Sequence, residues 1–282
     1  MKKIMVFIFL VLLAGVTGCK QEKDPLLKPI NSAIENFIDN HAEKYFTDVA
    51  KLDYYVVTAI KALDDHGYDI SLSNYLSKEE VENYYKSYEY NTIGEIFKAI
   101  EICRAFEIDY DFLVDALKKV NEVDIYSYTY GLIALRITNV NIEMQDDLIS
   151  KVPIIREEDY RDADYAGVAL MATDGLEINR DDLFTLIDEN ISEDGVISWG
   201  NANSCSTANV ILGLIALDID PSSYGENDVD LVTALLKYHQ DGAFKYMLDG
   251  DLDLDYATPQ VFAAFASFKI YKESSKAFNL FL

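Results

Sequence analysis

The chain has 282 residues, 50% of them hydrophobic, and its 49 acidic residues outnumber its 24 basic ones to give a formal charge of −25. A surface this acidic repels nucleic acid phosphates and anionic lipid headgroups, so we expect no nucleic acid partner and no membrane binding through the domain surface. Three cysteines are too few to predict a disulfide framework.

Residues 1–18 are predicted to be an export signal. Lys2 and Lys3 precede an apolar stretch from Ile4 to Val16, which is shorter than the roughly 20 residues of a membrane-spanning helix. The residues from Val16 to Cys19 resemble the bacterial lipobox, in which small residues precede a cysteine that becomes the lipid-bearing N-terminus. We therefore expect Cys19 to be lipidated and to anchor the protein in the cell envelope, on the extracytoplasmic side of a membrane. The alternative is an ordinary signal peptide with an incidental cysteine.

The mature chain is predicted to be a tether followed by one domain. Residues 19–30, with Pro25 and Pro29, form the lipidated cysteine and the tether. No glycine-rich or serine-rich linker divides residues 31–282, which are enough for one domain with a sizeable core. The membrane is then contacted through the lipid anchor only.

A polar residue opens an apolar helical run six times along this domain. Successive positions are 36 to 49 residues apart, the length that two helices and two turns occupy. Asp and Ser side chains cap a helix by accepting hydrogen bonds from its free N–H groups, so each position predicts the start of an inner helix. The runs that follow are apolar on nearly every side, which indicates burial. The positions are Asp53 and Tyr54, Glu89 and Tyr90, Ser127 and Tyr128, Asp164 and Tyr165, Ser206 and Thr207, and Asp255 and Tyr256.

A second, more polar helix is predicted between successive inner helices. Residues 111–120, 181–189 and 228–238 are apolar on one face only, and residues 31–45 supply a matching outer helix before the first inner one. Such pairs build an open solenoid or a closed ring. We favour a ring because its inner helices contact neighbours on every side, whereas a solenoid leaves a concave face in water. The prediction is an all-α fold, an α/α toroid of about six helix pairs.

Two loops in the last third of the chain carry a resemblance to a known family. Residues 194–200 and 240–244 resemble the Gln-Trp turns of the squalene cyclase and prenyltransferase superfamily. Residues 203–221 and 257–260 are similar to the matching inner-helix segments of prenyltransferase-like repeat proteins of bacterial surfaces. The first four repeats match through period and hydrophobicity alone. The resemblance implies a toroid with a pocket at one end, and Trp199 is interpreted as a clamp between repeats.

The inner helices of a ring all begin at the same end, so their first residues are expected to surround one opening, the mouth. The resemblance supports this end, because prenyltransferase zinc ligands lie there. The alternative is that the acids only cap and the tyrosines only pack. The predicted binding residues are Asp53, Tyr54, Glu89, Tyr90, Tyr128, Asp164, Tyr165, Trp199, Asn203, Ser206, Asp255 and Tyr256.

We expect no cofactor at the mouth, with zinc and calcium as alternatives. Asp255, Cys205 and His239 can be combined into a prenyltransferase-like zinc trio, but no local spacing supports it. Residues 249–255 alternate aspartate with other residues like a calcium loop, yet Leu254 stands where such a loop requires glycine and Gln260 cannot supply a bidentate carboxylate. A solvated acidic loop is the simpler interpretation.

The sequence favours a binding protein over an enzyme. It lacks the Asp-x-Asp-Asp acid of the cyclases, and we predict no catalytic residue. The expected function is the capture of a small molecule, glycan or peptide at the mouth. One alternative is an enzyme that acts on a terpenoid or carbohydrate with mouth carboxylates as acid and base. Another is a protein-interaction scaffold that uses an exposed apolar outer face.

Overall fold

The computed structural model of the chain describes residues 24–155 and 161–282. The predicted signal peptide, Cys19 and the tether up to residue 23 lie outside the described residues. Within them the fold is all-α, as predicted, with short strands in a few loops. The helices are α1 (Leu27–Asn40), α2 (Tyr54–Asp65), α3 (Lys78–Ser87), α4 (Ile93–Ala105), α5 (Asp111–Leu117), α6 (Tyr128–Thr138), α7 (Ile142–Lys151), α8 (Ala163–Thr173), α9 (Asp181–Asp188), α10 (Ser204–Ala216), α11 (Leu231–Leu236) and α12 (Ala257–Ser274).

The even-numbered helices are the predicted inner helices, and they pack in sequence order. Helix α2 contacts α4, α4 contacts α6, α6 contacts α8, α8 contacts α10, and α10 contacts α12. Helix α12 then packs against α2, so the order of contacts returns to its starting point. The outer helices pack on this inner set, for example α1 on α12, α7 on α6 and α9 on α8. The difference in burial follows the sequence, since every residue of α10 is buried whereas α9 buries only Leu183 and Ile187.

Two glycines allow α8 and α10 to approach closely. A Cβ atom on Gly167 would lie 2.6 Å from the backbone of Asn209 and Val210. A Cβ atom on Gly213 would lie 2.4 Å from the carbonyl oxygen of Gly167. Since real Cβ atoms do not approach other atoms this closely, both positions require glycine for the two backbones to be in contact.

Short antiparallel strands occupy both loops that resemble Gln-Trp turns, and a further hairpin lies between those loops in the sequence. The first joins β1 (Ile191–Ser192), β2 (Gly195–Ser198) and β3 (Asn201–Ala202), and Ile191 pairs with Val196. The others join β4 (Gly225–Glu226) to β5 (Val229–Asp230) and β6 (His239–Gln240) to β7 (Ala243–Phe244). The Thr207 hydroxyl accepts the N–H of Val196 at 2.9 Å, and the Thr258 hydroxyl accepts the N–H of Phe244 at 3.0 Å. The same type of bond therefore fixes both loops to the inner helix that follows.

Two sequence-based expectations are corrected. The predicted tether, residues 19–30, extends too far, because α1 begins at Leu27 and buries Leu27 and Ile30. Pro29 is tolerated because it lies in the first turn of α1, where its missing N–H has no helical acceptor. Trp199 is not a clamp, since 73% of its surface is exposed in the turn between β2 and β3.

None of the helices in the described ranges combines the length and the apolar character that a bilayer crossing needs.

Candidate functional site

Asp53 caps α2 as the sequence predicts. Its Oδ1 accepts the N–H groups of Tyr55 at 2.9 Å and Val56 at 3.1 Å. Burial raises the pKa of this carboxyl to about 6, against the lowering effect of those two N–H groups and of the Lys98 charge. One residue at the predicted mouth is therefore both a helix cap and a carboxyl that gains its charge near neutral pH.

Other caps lie elsewhere than predicted. Helix α4 is capped by Thr92 rather than Glu89, since the Thr92 hydroxyl accepts the N–H of Glu95 and the Glu95 carboxylate accepts the N–H of Thr92. Helix α8 is capped by Asp162, and α10 by Asn203, whose Oδ1 accepts the N–H of Ser206 at 2.9 Å. Ser127 and Tyr256 occupy cap positions without a side-chain cap bond. Asp164 and Ser206 thus lie inside the first turn of their helices, where their side chains are free for other contacts.

A hydrogen-bonded network connects residues of five inner helices. The Tyr55 hydroxyl donates to Asn209 Oδ1 at 2.9 Å, and it lies 3.4 Å from the Tyr130 hydroxyl. The Asn209 amide nitrogen donates to Asp164 Oδ1 at 3.0 Å and to Gln260 Oε1 at 3.4 Å. The five side chains come from five helices: Tyr55 from α2, Tyr130 from α6, Asp164 from α8, Asn209 from α10 and Gln260 from α12. The network therefore gathers residues that are more than 200 positions apart in the sequence.

Aromatic rings pack against this network. The Tyr54 ring lies 4.4 Å from that of Tyr55 and 5.4 Å from that of Phe97 in α4, and the Phe97 ring lies 4.9 Å from that of Tyr130. Each inner helix thus contributes at least one side chain to a single group. We call this group the central cluster: Tyr54, Tyr55, Phe97, Tyr130, Asp164, Asn209 and Gln260.

Burial is the main influence on the pKa values of the titratable side chains in the central cluster. Burial raises the pKa of Asp164, and the nearby Asp162 raises it further, although hydrogen bonds from Asn209 and Ser206 oppose the shift. Burial also raises the pKa of Tyr130, and the charges of Asp164 and Asp53 both add to that effect. The Tyr130 hydroxyl therefore interacts electrostatically with both Asp53 and Asp164.

More acids surround this region. Burial raises the pKa of Tyr45, and Asp53, Asp255 and Asp253 raise it further. Burial likewise raises the pKa of Tyr246, with contributions from Cys205 and from Asp164, Asp162 and Asp253. Tyr246 is 36% exposed, so its ring is accessible from solvent. Of the predicted binding residues, Asp53, Tyr54, Asp164, Ser206 and Asp255 thus belong to or interact with this region, together with Asp162, Asp253, Tyr45 and Tyr246.

The remaining predicted binding residues lie apart from the central cluster. Tyr128 and Tyr165 both pack on the guanidinium of Arg161, at 5.5 and 4.8 Å, and the Tyr165 hydroxyl donates to the carbonyl of Val152. Tyr256 is 71% exposed. Asn203 is buried and acts as a cap. Glu89 and Tyr90 line a separate groove beside α4.

The opposite end of the inner helices is covered by residues 276–282. Asn279 donates to the carbonyl of Met171 at 3.0 Å, and Arg104 donates to the carbonyl of Phe281 at 2.7 Å. The Phe281 ring is fully buried, 5.4 Å from Tyr55 and 5.5 Å from Phe97. This segment therefore fills the space behind the central cluster. A cavity of about 250 Å³ remains beside it, lined by Lys61, His66, Glu101, Arg104 and Phe278 among others.

The alternative zinc and calcium sites find little geometric support. His239 Nε2 accepts the N–H of Gly242 at 2.9 Å, and Asp255 is paired with Lys44 at 3.0 Å. Cys205 is buried, and burial raises the pKa of its thiol, which disfavours the thiolate that zinc needs. In the ranges that the structure describes, no group of three or more His, Cys, Asp or Glu side chains is arranged to hold a metal ion.

Sequence reasoning missed several residues of the cluster. Tyr130, Asn209 and Gln260 follow the marked positions by two to five residues and lie within the helices. Asn209 carried a usable signal, because it is a single amide within an otherwise apolar run, and a buried polar side chain must find partners. Phe281 carried none, since it follows the last helix in no periodic pattern. No protein-family model matches the chain, and no curated protein matches it significantly.

Proposed function

We propose that this chain is an α/α toroid that binds a small polar molecule, glycan or peptide at the end where its inner helices begin. Cys19 would carry the lipid that holds it to the extracytoplasmic side of a bacterial membrane. The observation that carries the proposal is the central cluster, to which every inner helix contributes. A cluster of this kind serves recognition because it places carboxylates, hydroxyls and rings from distant repeats around one position.

The contacts of α12 support the ring. An open solenoid separates its first and last repeats, whereas here α12 packs directly on α2. The Tyr55 bond to Asn209 joins α2 to α10, and Asn209 in turn reaches Gln260 of α12. These bonds support a ring in which the first and last inner helices face the same interior.

The chemistry of the site supports a ligand with hydrogen-bond donors. Asp53 and Asp164 are acceptors that lie partly out of water, and a carboxylate in that setting forms stronger bonds to hydroxyl or ammonium groups. Tyr246, which is 36% exposed, adds a ring of the kind that packs on sugar faces and attracts organic cations. The favoured ligands are therefore polyhydroxylated or cationic.

A thermal-shift experiment on residues 24–282 tests the site. A panel of amines, oligosaccharides and short peptides is screened against the wild type, Asp164→Asn and Asp146→Asn. Asparagine at position 164 keeps an oxygen for the Asn209 amide but removes the charge, and Asp146 is an exposed control on α7. A ligand at 100 times its Kd adds about 2.7 kcal/mol to the free energy of unfolding. We expect that gain to disappear in Asp164→Asn and to persist in Asp146→Asn. Equal stabilisation of all three proteins would place the ligand elsewhere and contradict the proposal.

One observation favours a second candidate, acid–base catalysis on a carbohydrate. Burial raises the pKa of Asp53 to about 6 and also raises that of Asp164, and a buried carboxyl with a raised pKa is suited to act as a general acid. Hydrolysis of a chromogenic glycoside by the wild type, lost in both Asp53→Asn and Asp164→Asn, would support it. Binding without turnover leaves the first proposal in place.

A further inference from the structure

A groove separate from the central cluster lies beside the N-terminus of α4. Its volume is about 840 Å³, within the range of ligand-binding clefts. Residues 89–92 border it on one side and residues 119–124, after α5, on the other. Ile93 and Ile96 are buried at its floor, and Val120 and Val123 are partly buried beside them. None of its lining residues belongs to the central cluster.

Main-chain N–H and C=O groups along one side of the groove are available for hydrogen bonds. Asn121, Glu122 and Val123 lie outside helices and strands. No backbone hydrogen bond between described residues involves the N–H or C=O groups of these three. Main-chain groups without such partners, next to an apolar floor, are available to hydrogen-bond with the backbone of an extended peptide.

The charges at the groove select the kind of peptide. Glu89 and Glu122 are exposed, and neither takes part in an ion pair with another described residue. Asp124 adds a third carboxylate, whereas Lys119 is the cation among the lining residues. The excess of acid attracts a basic partner and repels an acidic one.

We propose that this groove binds an extended peptide in which basic side chains alternate with apolar ones. The peptide backbone pairs with residues 121–123, and its apolar side chains pack over Ile93 and Ile96. Its basic side chains lie on the opposite face, toward Glu89 and Glu122, because successive side chains of an extended strand point in opposite directions. The site does not depend on the proposed ligand site at the mouth.

Synthetic decapeptides test the proposal on residues 24–282. The probe alternates lysine with valine; one comparison peptide alternates lysine with glycine, and another alternates glutamate with valine. Affinity is measured by fluorescence anisotropy, and hydrogen exchange reports on residues 116–124. We expect the lysine–valine peptide to bind and to slow exchange at residues 121–123. The lysine–glycine peptide has the same charge but no apolar side chains, so it should bind at least about tenfold more weakly, a difference of 1.4 kcal/mol.

Variants separate the groove from general attraction to an acidic protein. Glu122→Lys should weaken binding of the lysine–valine peptide by about tenfold, or 1.4 kcal/mol. Glu226→Lys makes the same charge change at an exposed position of β4 and should have less than about a twofold effect. Asp164→Asn should bind the peptide like the wild type, since the mouth is a different site. Equal losses in the two lysine variants, or unchanged exchange at residues 121–123, would overturn the proposal.

Discussion

Replacement of Phe281 by alanine should remove a large part of the stability of the domain. The side chain is fully buried, and its ring contacts those of Tyr54, Tyr55 and Phe97 at 5.4 to 5.7 Å. Such a change leaves a cavity that rigid helices cannot close, and it typically costs about 3–5 kcal/mol. Domains of ordinary stability have about 5–15 kcal/mol in total. Phe281→Ala should therefore shift the urea midpoint strongly without abolishing folding.

Urea denaturation followed by circular dichroism measures this loss. The bond from Arg104 to the Phe281 carbonyl involves the main chain, so it remains possible in the variant and the loss reports on the ring. Phe281→Leu is the matched control, because it keeps most of the apolar volume and should cost less than about 1.5 kcal/mol. A loss below about 1 kcal/mol in Phe281→Ala would show that residues 276–282 do not fill the interior, and the reasoning about this end of the fold would be wrong.

Four further outcomes are expected. Burial raises the pKa of Glu101 from 4.5 to about 7, so the folded chain binds this proton more tightly than the unfolded chain does. The free energy of unfolding should thus fall as pH rises through that interval, and Glu101→Gln should flatten the fall in urea titrations at several pH values. Gly167→Ala should cost at least about 1–3 kcal/mol because its Cβ meets backbone of α10, whereas Gly94→Ala, with its nearest neighbour at 3.9 Å, should cost nothing in the same assay. Asn203→Ala should lower the melting temperature through a lost cap worth about 0.5–2 kcal/mol. Trp199→Ala should change stability by less than about 0.5 kcal/mol, since the side chain is 73% exposed, and a loss of several kcal/mol would restore the clamp interpretation.

The helices were predictable because their apolar patterns are long and regular. The predicted outer helices at 111–120 and 181–189 correspond to Asp111–Leu117 and Asp181–Asp188. The predicted inner helices are also present, with apolar residues buried on nearly every side. Strands β1 to β7 were not predicted, because segments of two to four residues are too short to show a periodic pattern.

The cap positions were less predictable, for a local reason. Asp162 and Asp164 are both acidic and lie two residues apart, so the sequence offers two equivalent starts for α8. In the structure Asp162 caps α8, and the Asp164 side chain instead accepts a hydrogen bond from Asn209. Near α4 the marked pair, Glu89 and Tyr90, precedes the helix by several residues, which is why that pair borders a separate groove.

The central cluster could be predicted only in part. Asp53, Tyr54 and Asp164 were identified because each lies near a helix start, where the predicted ring would bring residues together. The partners that fix them, Tyr130 and Asn209, lie one turn further along their helices. Which face of a buried helix turns toward the interior depends on how all neighbours pack, and an evenly apolar helix has no pattern that reveals it.

The contact between α12 and α2 has a consequence for biosynthesis. Helix α2 emerges early from the ribosome, but α12, one of the helices it packs against, is made about 200 residues later. Until then the apolar face of α2 that packs on α12 is exposed in the nascent chain. Contacts between residues this far apart in the sequence also form slowly. We expect the contact between α2 and α12 to form only after translation, as a late step of folding.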